Sequence, residues 1–253
     1  MLQTKPRVHL FITCVADRLG VSAAESTVNL LRLYGCDVQF SELQSCCGQP
    51  AYNAGHHDAA KQVARYWLAT YDKLLVSADD YIVTPSGSCG AMLHHYNDLL
   101  ADEPSQLAIC NRVLPRVKEL TQFLVDDLAV TQSFVDLDNV TVAYHDSCHA
   151  MRNMGVYDQP RTLLKSAGAD LIDWDSSCCG FGGLFSVKLP QISTAMLDRK
   201  LDSVTNVMSA DFLTSTDLGC LLQLDGGLQR RSTRLRTVHI AELLDPASVV
   251  HPK

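Results

Sequence analysis

Two short stretches of the chain place a pair of adjacent cysteines before a glycine: Cys46-Cys47-Gly48 and Cys178-Cys179-Gly180-Phe181-Gly182-Gly183. Each pair is preceded about thirty residues earlier by a single cysteine, Cys14 or Cys148, and followed about forty residues later by another, Cys89 or Cys220. The offsets between corresponding cysteines are 134, 132, 132 and 131 residues, so the pattern is a tandem repeat rather than chance. Four thiolates brought together repel one another unless a cation neutralises them. Soft sulfur ligands select iron-sulfur clusters, zinc or copper(I). The candidate ligand sets are therefore Cys14, Cys46, Cys47 and Cys89 in one site, and Cys148, Cys178, Cys179 and Cys220 in the other. The glycines would let backbone N–H groups approach the sulfurs, where such hydrogen bonds tune reduction potential.

Blander readings compete. Free cysteines are often small buried hydrophobes, and that reading is preferred for Cys36, whose counterpart is Ala169, and for Cys110, which falls outside the repeat. Disulfides fit poorly, because neighbouring cysteines cannot easily bridge and the chain opens without a secretion signal. Thiol-based redox chemistry at Cys178 and Cys179 remains a third class, and a non-catalytic zinc scaffold a further one. Gly180-Phe181-Gly182-Gly183 lacks the last glycine of a dinucleotide-binding loop. His145 and His149 bracket Cys148 and could serve as ligand or proton carrier. Arg152 and Lys188 lie close in sequence to the second cysteine set, where a cation could offset cluster charge or hold a carboxylate. His149, Arg152 and Lys188 are the catalytic candidates. The pairs His56-His57 and His94-His95 have no counterparts in the second half and are expected on helix surfaces.

The elements that must position these residues read as strand-helix alternation. Val8 to Ile12, Val38 to Phe40 and Tyr81 to Val83 are short β-branched or apolar runs in the first half. Val140 to Tyr144, Leu171-Ile172 and Asp211 to Leu213 match them in the second. Between them lie helical patterns: Ala24, Val28 and Leu31 ending at Gly35; Ala60, Val63, Ala64, Trp67, Leu68, Tyr71 and Leu75; residues 161–167 ending at Gly168; and Leu197, Leu201, Val204 and Met208. Helical sequence including Leu120, Phe123 and Leu124 closes the first half. Each cysteine element follows a strand. The expected fold class is thus α/β, with two tandem pseudo-symmetric repeats over residues 1–133 and 134–253. Each repeat is a small parallel sheet flanked by helices, with its cysteine loops meeting outside the carboxyl ends of the strands.

A length of 253 residues accommodates two cores. Acids outnumber bases by 28 to 21, and the bases are scattered, which argues against nucleic acid as a partner. No apolar run approaches the roughly 18 residues that span a bilayer. Residues 1–7 lack a signal-peptide pattern, and ten cysteines without one point to the reducing cytoplasm.

Across nearly the whole chain these residues resemble the duplicated cysteine-rich CCG domain. More narrowly, they are similar to the lactate utilisation protein A family, through residues 46–53, residues 85–89, Ser147-Cys148-His149, and residues 178–188. The resemblance implies a cytoplasmic iron-sulfur oxidoreductase subunit that oxidises L-lactate, a small 2-hydroxy acid, to pyruvate. It implies two companion lactate-utilisation proteins, one a ferredoxin-type iron-sulfur subunit, and cluster ligation, as [4Fe-4S] or with zinc in one or both sites, by the eight cysteines named above. Related domains occur in the B subunit of heterodisulfide reductase and the iron-sulfur subunit of glycolate oxidase. The heterodisulfide reductase version ends each motif in Cys-x-x-Cys. Here Ser86 and Asp217 stand three residues before Cys89 and Cys220, and Leu218 lies where the family pattern has a Cys-Gly-Cys element.

Overall fold

The structure is a computed structural model that describes residues 5–172, 174–203, 209–233 and 235–250. It contains two four-stranded sheets in which every pairing is parallel. In the first half β1 (Arg7–Leu10), β2 (Asp37–Phe40), β3 (Asp80–Thr84) and β4 (Val117–Glu119) are ordered β2-β1-β3-β4. In the second, β5 (Thr141–Tyr144), β6 (Asp170–Ile172), β7 (Phe212–Ser215) and β8 (Arg236–His239) are ordered β6-β5-β7-β8. Strand order reverses between β1 and β3, and again between β5 and β7. Such a reversal opens a crevice beyond the carboxyl ends of the strands.

The crossover helices follow the apolar periods of the sequence. The Val21–Leu33 helix stops at Gly35, whose φ of +87° is costly for any residue with a Cβ. There Gly35 N–H donates to the Arg32 carbonyl and Cys36 N–H to the Leu31 carbonyl, each at 3.0 Å or less. Gly168, with φ +86°, ends the Asp158–Ser166 helix by the same pair of bonds to Lys165 and Leu164. The His57–Asp72 helix buries Ala60, Ala64, Trp67, Leu68 and Tyr71 along one face. In the Pro190–Asp202 helix Leu197 and Leu201 are buried as expected, while Val204 and Met208 lie outside the described residues.

Two features differ from the sequence reading. β4 and β8 are additional strands: Val117-Lys118-Glu119 and Arg236-Thr237-Val238-His239 are too short and too charged to carry a strand period. Cys14, Cys89, Cys148 and Cys220 stand in the first turns of helices rather than in loops; those helices are Cys14–Leu19, Gly87–His94, Cys148–Met154 and Leu218–Arg230. Only the adjacent pairs, Cys46-Cys47 and Cys178-Cys179, lie in irregular backbone.

The halves share one apolar core, which joins Val8, Leu10 and Val83 to Val142, Leu164, Phe212 and Ile240. They also meet helix on helix at two pseudo-equivalent places, packed in opposite ways. At one, the Gly87–His94 helix lies so close to Cys148–Met154 that a Cβ on Gly87 would be 2.2 Å from the Ala150 Cβ, and one on Gly90 2.5 Å from the Met154 sulfur. At the other, Leu218 occupies the position corresponding to Gly87 and fills the space over Gly20, where a Cβ would meet its Cδ2 at 2.0 Å. Among the described residues no helix is long and apolar enough to cross a membrane.

Candidate metal centres

In each half the four expected cysteines converge. Thr13 caps the helix that begins at Cys14, its Oγ1 accepting from Ala16 N–H at 3.2 Å. Ser86 caps the one holding Cys89, accepting from Cys89 N–H at 3.3 Å. A string of thiol contacts runs from Cys14 through Cys46 and Cys47 to Cys89, the last two sulfurs being 3.4 Å apart. The same string runs from Cys148 through Cys178 and Cys179 to Cys220. In both halves the glycine after the pair points its N–H at the first sulfur, Gly48 to Cys46 and Gly180 to Cys178, each at 3.4 Å. Positive φ, +82° and +83°, aims those N–H groups, and at Gly180 a Cβ would lie 2.5 Å from the Ser193 carbonyl oxygen. Glycine is therefore dictated by backbone geometry.

Charge is unevenly shared along each string. Cys46 is held far below the usual thiol range because Cys14 and Cys47 both donate to it, with Gly48 N–H adding a further bond. Cys14 and Cys47 are pushed up correspondingly. Cys178, between Cys148 and Cys179, repeats the arrangement. Without a cation each string thus favours one thiolate and retains protons on its neighbours. A bound metal would displace those protons.

Beneath the sulfurs the halves diverge. The offset that separates Cys148 from Cys14 places His145 where the first half has Phe11, and the next helix places Lys200 where it has Trp67. Phe11 packs edge-on to Trp67 and Tyr71, Trp67 stacks on Tyr71 at 4.3 Å, and Tyr96 Oη donates to the Cys47 carbonyl at 2.8 Å. The first centre rests on an aromatic floor. Under the second, the His145 ring lies 6.0 Å from Trp174, and Lys200 Nζ sits 4.1 Å over the other ring centroid. Lys200 is fully buried and donates to the Asp175 carbonyl. His145 is 1% exposed, and among the described residues neither of its ring nitrogens has a hydrogen-bond partner. Burial, reinforced by Lys200, pushes the imidazole down to about 3, so it is neutral. One ring nitrogen lies with the sulfurs of Cys179 and Cys220 in a group whose members are all within 4.8 Å of one another.

Asp217 does not add a ligand to the second centre; it ties the two halves together. Its buried carboxylate accepts from Ser86 Oγ at 2.9 Å, Ser88 Oγ at 2.7 Å, Ser88 N–H at 2.8 Å and Ser147 Oγ at 2.5 Å. Nearby, His239 Nε2 lies 3.1 Å from the Pro85 carbonyl and its Nδ1 accepts from Ala241 N–H at 3.2 Å, which fixes the neutral tautomer. The pseudo-equivalent position at the end of β4 is Glu119, a buried carboxylate that accepts from Thr121 and Gln122.

The three catalytic candidates take no part in the thiol contacts. His149 follows Cys148 and lines a cavity of about 180 Å³ with Gln49, Asn53, His95 and Asn153. Arg152 and Lys188 are exposed. His56 and His57 are exposed as expected, whereas His94 is half-buried against the Val117 carbonyl. Cys36 and Cys110 are buried among apolar side chains and take part in none of the thiol contacts, and burial pushes each thiol up to about 11. Three residues escaped the sequence reading: Lys200, Asp217 as a clasp, and His145 in preference to His149. The available signal was the alignment of His145 with Phe11 and of Lys200 with Trp67, where the repeat exchanges aromatic for titratable side chains.

The donor set fits a thiolate-bound metal. Four cysteines meet in each half, glycine N–H groups point at sulfur, and a buried imidazole without a partner adjoins one set.

Comparison with known proteins agrees with the repeat. The model of the CCG cysteine-rich domain matches residues 8–94 and again residues 142–225. Lactate utilization protein A of Bacillus cytotoxicus is 41% identical over 245 residues, 96% of this chain and the whole of that protein. The protein of the same name from Bacillus cereus strain G9842 is 40% identical over the same span. A solved structure of a hypothetical protein from Helicobacter pylori shares the fold, with a TM-score of 0.66 at 13% identity; it covers 98% of this chain, which spans 50% of that one. The chain therefore belongs to the lactate utilization protein A family, and is built from two copies of the CCG cysteine-rich domain.

Proposed function

We propose that the chain is an iron-sulfur oxidoreductase subunit of a cytoplasmic complex that oxidises L-lactate to pyruvate. Each half, 1–133 and 134–253, holds one centre: the first on Cys14, Cys46, Cys47 and Cys89, the second on Cys148, Cys178, Cys179 and Cys220. The observation that carries this reading is the convergence of four thiols, twice, at the carboxyl ends of two parallel sheets. The lactate role is carried over from the relatives' name. An iron-sulfur cluster supplies one-electron storage, which suits the removal of two electrons from a 2-hydroxy acid. This chain's own residues position and tune: Gly48 and Gly180 direct N–H groups at sulfur, and the burial of Cys47, Cys89, Cys179 and Cys220 excludes water. His149, in its small cavity, and the exposed Arg152 and Lys188 are available to a carboxylate or to a partner surface. The companion subunits, one of them ferredoxin-type, would carry the electrons onward.

The test is iron and acid-labile sulfide analysis of anaerobically purified protein beside Cys47→Ser and Cys179→Ser, with electron paramagnetic resonance. Each variant should lose one of two centres. Full zinc with no sulfide would overturn the proposal in favour of a zinc scaffold, and activity in metal-free protein would favour thiol redox chemistry. One observation supports zinc specifically. The 3.4 Å between the Cys47 and Cys89 sulfurs is near the roughly 3.8 Å that two thiolates on a single tetrahedral zinc require.

A further inference from the structure

We infer that the second centre has a nitrogen donor, the imidazole of His145, beside Cys179 and Cys220, whereas the first centre is all sulfur. The inference rests on the reading that the cysteines hold a metal, but on no particular metal.

A buried polar group left without a hydrogen bond destabilises the fold, and among the described residues neither ring nitrogen of His145 has a partner. That cost is removed when a ring nitrogen binds a cation. Space alone does not call for a histidine here, because the first half fills the corresponding position with Phe11. The ring is also held in place. The residue's backbone is fixed on both sides: the His145 main-chain N–H donates to the Thr214 carbonyl at 2.8 Å, and Ser215 Oγ donates to the His145 main-chain carbonyl at 2.9 Å. Trp174 bounds the ring on one side.

Distance agrees. A nitrogen and two sulfurs within 4.8 Å of one another need to close by no more than about 1.3 Å to share one cation, since ligands at about 2.0–2.3 Å in tetrahedral array stand roughly 3.5 Å apart. An imidazole nitrogen that carries no proton has a lone pair that a cation can take up. Lys200 behind Trp174 has no such lone pair to offer when charged. The arrangement therefore separates roles: His145 donates, and Lys200 offsets negative charge.

Where the imidazole takes the place of one of the four thiolates on a redox cluster, the negative charge at the second centre falls and its potential rises relative to sulfur alone.

The test loads the full-length, metal-free protein anaerobically with cadmium-113, using protein labelled with 15N-histidine. Two cadmium resonances are expected, one of them split by a histidine nitrogen. His145→Phe, which copies the first half, should abolish the splitting, leave the other resonance unchanged and weaken cadmium at the second centre about tenfold or more. His145→Gln gives a second variant that keeps a polar side chain should the phenylalanine not fold. A splitting absent from wild type, or one that survives both variants and disappears in His149→Gln, would overturn the inference. Reconstitution of the same samples with iron and sulfide, read by pulsed paramagnetic resonance, separates the two claims. Absence of a cluster with the cadmium splitting intact refutes the iron-sulfur reading alone. A cluster with no strongly coupled nitrogen, beside unsplit cadmium, refutes the donor alone.

Discussion

The two halves place four thiols on the same backbone frame yet support them differently. Phe11 and Trp67 under the first centre form an apolar floor that fixes shape and excludes water. His145 and Lys200 under the second put a lone pair and a charge in the corresponding places. The parallel strands and the left-handed glycines at 35 and 168 and at 48 and 180 recur, so the fold was preserved while the surroundings of the sulfur changed. Duplication therefore supplied geometry, and divergence beneath that geometry supplied the means to make two centres unequal.

The sharpest way to break the comparison is at the helix contacts. Gly87→Leu makes the first contact resemble the second and forces side-chain atoms into Ala150 backbone and Cβ. Stability should fall by about 3 kcal/mol or more, or folding should fail. Urea denaturation that finds less than about 1 kcal/mol would deny that the two contacts are packed in opposite senses.

Next in size is the pair of caps at Glu119 and His239. Burial raises Glu119 from the usual 4.5 to about 7, against hydrogen bonds from Thr121 and Gln122 that favour the ionised form. Between these values the folded state binds more protons than the unfolded one, so stability falls as pH rises through that window and is level above it. The loss is about 3 kcal/mol. Glu119→Gln should flatten it, which denaturation midpoints at pH 5 and pH 8 would reveal. A wild-type profile that climbs over this window would show that another group dominates.

Asp217 and Ser86 occupy corresponding positions, but only the former is charged. Asp217→Asn replaces an acceptor of four hydrogen bonds by a group that is half donor and should cost roughly 2 kcal/mol. Its effect should be on the stability of the whole chain, with the metal content per folded protein unchanged. Selective loss of one centre would instead make Asp217 part of that centre. The smallest effect is expected at Lys200. Lys200→Met removes a buried charge that, among the described residues, donates to the Asp175 carbonyl alone and should change stability by about 1 kcal/mol or less. A much larger loss in thermal unfolding would mean that the charge, and not the stem, holds Trp174 in place.

Much of this frame was legible in the sequence. The constant offsets gave the repeat, the β-branched runs gave three strands in each half, and Gly35 and Gly168 marked helix ends that the backbone requires. β4 and β8 were not legible, since a three- or four-residue strand whose last residue is a buried, capping Glu119 or His239 looks like a polar loop. The first-turn cysteines read as loop residues because Ser, Gly and Pro around Cys89 signal a turn as strongly as they signal a capped helix start. Asp217 was visible only as a missing cysteine, because its partners Ser86, Ser88 and Ser147 are 70 or more residues away. The eight cysteines were identified by type and spacing; His145 stood out in the sequence only as one of two histidines beside Cys148, and the third dimension was needed to prefer it to His149 and to find Lys200.

The opposed packing at Gly87 and Leu218 bears on how such a chain could have arisen and on whether it can be undone. A twofold pair of identical units requires one surface to complement itself. Two copies of the present first half would set Gly90 against Gly20 and leave a void. Two copies of the second would drive Leu218 into Ala150 and Met154. Each half has become a mould for the other, and an ancestral self-association is no longer open to either one alone.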